Sequence, residues 1–266
     1  MGSLGSILKA AVLAGLIAGA ITAGFHTLLL EPLIERAIEL EEQASQTHGQ
    51  ATQEPVIDRL TQRWGLVLGF LVYGAIWGLL FGLVVYAVQT LRPTAWTVTR
   101  FGFALALLVG WTVAMLPFLK YPANPPGVGE AETIAYRQGL YFGFLGLSAV
   151  GTALAIGVSR WLKRSPWSAS GGRSHVGVAL AVYIVYVGIV YLAMPRNPDP
   201  VEMPAELVWP FRAVAFLGLI VFWAALGGFF VWRLDGVSAS SPAGGRLGRG
   251  HQGNRPNDAP SPSGRG

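Results

Sequence analysis

The sequence predicts an all-α, polytopic membrane protein of about six transmembrane helices, grouped as three helical hairpins. Six apolar stretches, at residues 7–30, 64–88, 101–119, 139–158, 176–193 and 213–232, carry no charge in their middles. Each lies near the roughly 20 helical residues that a bilayer requires. The composition agrees: 52% of the 266 residues are hydrophobic and 12% charged, with a mean hydropathy of +0.48, where a soluble domain carries about 25% charge. Charge is also sorted by side. The N-terminus, the 91–100 turn, the 160–175 loop and the C-terminus hold twelve of nineteen Lys and Arg but only two of fourteen acids, Asp235 and Asp258. The positive-inside rule places that set, and both termini, in the cytoplasm of a cell with this chain in its inner membrane.

The first span is too long for the h-region of a signal peptide, which runs to about 15 residues. Ala11, Gly15 and Gly19 form a small-residue row along it, and Gly74, Gly78 and Gly82 form another along span 2. Such rows permit close backbone approach, so spans 1 and 2 are expected to touch. The connection between them holds two related hexapeptides, at 31–36 and 54–59, and Glu31, Glu35, Glu39 and Glu42 recur at helical spacing. This pattern predicts a short amphipathic helix with a carboxylate stripe.

Arg63, Arg137 and Arg212 each precede an even-numbered span and stand 74 and 75 residues apart (63 to 137, 137 to 212). The spacing suggests a helical hairpin used three times. The connections after spans 3 and 5 both run into proline-rich backbone containing Asn-Pro, at Asn124-Pro125 and Asn197-Pro198, and are expected to be ordered, non-helical loops. Span 6 closes a membrane domain over 1–235. The remaining 236–266 is rich in Gly, Ser, Pro and Arg, cannot bury a core, and is expected to be disordered.

Candidates for chemistry are few. The chain has no cysteine, which excludes thiolate metal sites and cysteine nucleophiles. It also lacks HExxH, GxxxxGK[ST], a strand-linked GxGxxG and GxSxG, so the metalloprotease, nucleotide-hydrolysing, dinucleotide and serine-hydrolase readings lack a sequence warrant, and the chain is not expected to be an enzyme. His26, about one turn from the outer end of span 1, is the ionisable group nearest membrane depth. It is either a metal ligand or a histidine hydrogen-bonded to a neighbouring helix. In one continuous helix His26 and Glu31 would sit about 140° apart, so a shared ion requires a break at Glu31-Pro32 or ligands from another loop. The candidate metal ligands are His26, Glu31, Asn124 and Glu39, with His48, Glu130, Glu132, Asp199, Glu202 and Glu206 as further donors. None has a spacing specific to one metal, and imidazole with carboxylate suits Co²⁺, Ni²⁺ or Zn²⁺. Thr22, Thr27, Tyr73, Thr112, Ser148 and Thr152 either line a polar path or make ordinary interhelical hydrogen bonds. His175, beside basic residues, reads as structural.

Phe25-His26, Glu31-Pro-Leu-Ile34, Glu39-Leu-Glu-Glu42 and above all Leu116-Pro-Phe-Leu-Lys-Tyr-Pro-Ala-Asn-Pro-Pro-Gly-Val-Gly129 together resemble the CbtA-type predicted cobalt transporter subunits over about residues 5–233. The resemblance implies a multi-span bacterial membrane protein linked to cobalt uptake for cobalamin synthesis. It further implies Co²⁺ as the transported ion, no permanently bound cofactor, and a small single-span CbtB-like subunit that supplies a histidine-bearing segment. The expected partners are thus the bilayer, that subunit and the divalent ion, with no nucleic acid. The alternative is a non-transporting membrane scaffold that assembles a small metal-binding partner.

Overall fold

The computed structural model describes residues 3–47, 59–91, 98–164 and 174–239. The described residues are helical apart from two ordered connections and contain no strand. The elements are α1 (Leu4–Leu29), α2 (Glu31–Thr47), α3 (Arg59–Leu91), α4 (Val98–Gly110), a π-helical segment (Trp111–Met115), α5 (Leu116–Lys120), a 3₁₀ turn (Ala131–Thr133), α6 (Ile134–Arg164), α7 (Ser174–Ala193) and α8 (Ala205–Ala239). Six stretches are long and apolar enough to cross a membrane. His48 and most of the second hexapeptide lie outside the described residues. So does the expected tail beyond Ala239, although its first four residues continue α8.

Caps rather than hydropathy set the helix limits, so several helices outrun their apolar stretches. Ser3 caps α1 by accepting from the Ser6 amide at 3.3 Å. At its other end the Leu30 amide donates to His26 O, and α2 begins one residue later. Pro32 has no amide to give and sits in the first turn of α2, where none is needed. The amides of Leu33 and Ile34 then bond Leu30 O. The expected amphipathic helix is therefore present, and the break falls at Leu30, just before the Glu31-Pro32 step. At α8, Pro204 O receives the Leu207 and Val208 amides, which starts the helix at Ala205 and puts Arg212 two turns inside it.

Span 3 departs from the expected single α-helix because of Pro117. Proline removes one amide and crowds the carbonyl four residues earlier, which here belongs to Val113, inside the π segment. The wider turn relieves that clash and leaves Thr112 O to accept the Ser148 hydroxyl at 2.6 Å.

The core is built on α1. Backbone meets backbone between α1 and α3: a Cβ on Gly15 would overlap Gly74 O, one on Gly74 would overlap Gly15 O, and one on Gly78 would overlap Ala11 O. The two predicted small-residue rows therefore face each other. On its other side α1 packs against α8, and Phe81, Phe222, Trp223, Leu226 and Phe230 are fully buried around Ala11, Ala14 and Ala18. Span 3 joins this body through α4 and α8. The Trp223 ring lies over Gly110, where any side chain would collide with it, and meets Trp77 edge-on at 5.4 Å.

The expectation of three hairpins needs correction for the third. α1 and α3 form the first, and span 3 meets α6 through the π segment and α5, but α7 packs on α6 while α8 packs on α1 and α4. The second and third units are interlocked: the first helix of each also lies against the second helix of the other. The outer connections show why. Asn124, after span 3, accepts from Arg212 of α8 at 2.6 Å; Asp199, after α7, pairs with Arg137 of α6 at 3.0 Å. The polar bonds that tie the loops down run between units, and the helices follow them.

Candidate functional site

The connections between spans 1 and 2, 3 and 4, and 5 and 6 meet at one end of the molecule, the acidic end. There each of the three regularly spaced arginines has found an oxygen partner. Arg63 lies 3.5 Å from Glu31 and 2.9 Å from Glu35, so the first two members of the carboxylate stripe share one guanidinium. Arg212 holds Asn124. The Arg137 Nε approach to Asp199 Oδ2 is an ion pair rather than an aligned hydrogen bond. The same oxygen accepts from the Glu130 amide at 3.1 Å and the Thr133 hydroxyl at 2.8 Å. Asn197 accepts from the Asp199 amide at 3.2 Å, an Asx turn that fixes the Asn-Pro-Asp corner.

Further bonds lock the two proline-rich connections together. Lys120 Nζ donates to Tyr191 O at 2.6 Å and Met194 O at 2.9 Å, with its ammonium 4.6 Å from the Tyr191 ring centre. The Tyr121 hydroxyl donates to Pro195 O at 2.7 Å. Burial, and secondarily Tyr136, push that phenol above its ordinary pKa, which keeps the donor in place. Gly127 and Gly129 take φ of 77° and 104°, a region that other residues rarely enter. They also leave room for Glu41 of α2 and for the Arg137–Asp199 pair respectively. Between the loops lies a cavity of about 430 Å³ bordered by Tyr121, Asn124, Arg137, Gln138, Tyr141 and Asn197.

His26 is below this polar layer. Its ring packs edge-on to Phe70 of α3 at 4.9 Å and beside Phe25 at 5.8 Å, with Nε2 directed at Gly218 of α8, where a methyl group would overlap it. That nitrogen is buried and has no hydrogen-bond partner. His26 is therefore not the interhelical hydrogen bonder through Nε2 that the sequence allowed. Its ring is held among α1, α3 and α8 by Phe25, Phe70 and Gly218.

The candidate ligands are dispersed. Glu31 is nearly buried beside Arg63, Asn124 is engaged by Arg212, and Glu39 is exposed on α2. Among the described residues no three His, Asp or Glu side chains are grouped to hold an ion. Of the candidate polar path, Thr112, Ser148 and Thr152 form one network: Thr112 Oγ1 and Thr152 Oγ1 are 2.9 Å apart, and Ser148 bonds Thr112 O. Thr22 bonds back to Ala18 O in its own helix. These hydroxyls join helices or satisfy local carbonyls, as interhelical packing in lipid requires. Sequence reading missed Gly218 as the cradle of His26, since an isolated glycine in a span carries no signal of its neighbour. It also missed the π segment, for which Pro117 inside an apolar stretch was the available sign.

Residues 4–235 match the model of the CbtA family, described as a probable cobalt transporter subunit. No curated protein and no solved structure matches the chain. The family match spans the whole membrane region, including the interlocked loops and His26, and the chain belongs to the CbtA family of probable cobalt transporter subunits.

Proposed function

We propose that this chain is the inner-membrane part of a cobalt uptake system serving cobalamin synthesis, with both termini cytoplasmic and a small single-span, histidine-bearing CbtB-like subunit as its partner. The observation that carries the reading is the buried, unpartnered Nε2 of His26 beneath the acidic end. A neutral imidazole nitrogen is a good first-row metal ligand, and this one, free of hydrogen bonds, becomes available once α8 moves off it at Gly218. The exposed acids of α2, Glu39 among them, raise the local concentration of divalent cations. Co²⁺ then reaches His26, with Glu31 and Asn124 as further oxygen donors once Arg63 and Arg212 release them, and the partner's histidines complete the coordination. The family's description as a probable transporter subunit favours transport over catalysis.

The dispersal of the ligands favours the second reading, a scaffold that only assembles a metal-binding partner. Purified chain reconstituted in liposomes loaded with a metal-sensitive dye separates the two. Co²⁺ entry with this chain alone excludes a pure scaffold and supports transport; a partner that moves Co²⁺ equally well in liposomes lacking this chain contradicts it. Orientation is tested by Arg164→Cys in the otherwise cysteine-free chain. An impermeant thiol reagent should leave it unlabelled in intact cells, and labelling from outside would reverse the assigned topology.

A further inference from the structure

At the end opposite the acidic loops the two halves of the molecule part. α6 meets span 3 through the π segment and α5, and beyond that junction α4 diverges from α6 and α7. The result is a cleft of about 580 Å³ whose walls include Val88, Leu105, Ile156, Ala179 and Leu180, with Arg160 among its bordering residues. Three of its polar side chains already bond to protein. Trp111 Nε1 donates to the Tyr183 hydroxyl at 2.8 Å, and Thr152 is bonded to Thr112 and to Ser148 O. A hydrated divalent ion seeks several oxygen ligands, and this cleft has only the Ser159 hydroxyl uncommitted. It is not a metal path.

Arg160 is exposed and has no carboxylate partner among the described residues, and Lys163 and Arg164 follow on the next turn of α6. An apolar slot between membrane-spanning helices, with a guanidinium at its basic end, has the chemistry of one lipid: an acyl chain inside and a phosphate outside. Basic pockets between transmembrane helices bind anionic headgroups in this manner, and a guanidinium fits a phosphate as a two-pronged donor. The geometry points to a binding site for a single anionic phospholipid from the leaflet at the basic end, its chain wedged between α4 and the α6–α7 pair and its phosphate on Arg160. This site is independent of the metal chemistry at the acidic end.

The test uses the full chain in nanodiscs of equimolar phosphatidylglycerol and phosphatidylethanolamine, released into a mass spectrometer under native conditions. The wild-type chain should retain one phosphatidylglycerol in about fivefold preference over phosphatidylethanolamine. Arg160→Gln should erase that preference and Arg160→Lys should keep most of it. Ile156→Trp, at a partly exposed wall position, should expel the retained lipid whatever its headgroup. Equal retention of both lipids by the wild type would overturn the proposal. So would an undiminished preference in Arg160→Gln, a retained lipid in Ile156→Trp, or a polypeptide found in the cleft in place of lipid.

Discussion

The α1–α3 seam and the α6–α7 pair are both helix contacts in a membrane, yet they are made differently. In the seam, glycine rows bring two backbones together with no side chain between them. Across α6 and α7 the contact depends on side chains: Tyr186 fills the notch at Gly151 and its hydroxyl donates to Leu147 O at 3.0 Å. The burial differs accordingly, with 39% of the α1 window buried against 6% for α7. Lipid tails compete with side-chain packing on equal terms, whereas close backbone contact gains dispersion that lipid cannot supply. The α1–α3–α8 body is thus the closely packed, fixed half, and α6–α7 is the more loosely packed one.

The contrast breaks most completely at Gly74. Gly74→Leu places a side chain where the Gly15 carbonyl stands, and neither backbone can withdraw without opening the whole seam. We expect the variant to be lost from detergent extracts as folded protein by size-exclusion chromatography. A cross-seam variant that elutes like wild type would show that side chains elsewhere, rather than glycine contact, hold the fixed half.

The next largest effect falls on the loops that tie the halves. Asp199 has a side chain only 2% exposed and compensates Arg137. Asp199→Ala leaves a half-buried guanidinium and two donors without their acceptor, at a cost of about 3 kcal/mol. Thermal unfolding should show a clear fall in Tm, and Arg137→Ala should be no worse in the Asp199→Ala background than alone. Additive losses would mean that the two residues act separately.

Tyr186→Phe removes one hydrogen bond and keeps the ring in the Gly151 notch. Interhelical bonds in membranes average about 0.6 kcal/mol, so the shift in unfolding midpoint should be small. A loss as large as that of Asp199→Ala would contradict the assignment of α6–α7 as the loosely held half.

Much of this contrast was legible beforehand. The rows at Ala11, Gly15 and Gly19 and at Gly74, Gly78 and Gly82 identified the seam because close approach needs small residues at fixed spacing. The three arginines identified a repeat, and Asn-Pro identified its ordered loops. The interlocking of the second and third units was not legible, because it depends on which loop each arginine reaches across 62 (137 to 199) to 88 residues of sequence. Local pattern cannot choose between partners of equal chemistry. His26 was found by its isolation in an apolar span, but Gly218, 192 residues later (26 to 218), is matched to it only by tertiary packing. Pro117 marked a disturbance in span 3 without specifying that a π turn would absorb it.

The metal account rests on His26, which sits at the junction of the fixed half and the acidic end. Its most direct test is accumulation of radioactive cobalt by cells expressing the chain with its partner, at matched membrane levels, for wild type and His26→Ala. The account predicts that His26→Ala lowers accumulation at least about tenfold, the lower range for disturbing a metal site. Unchanged accumulation by His26→Ala would contradict it.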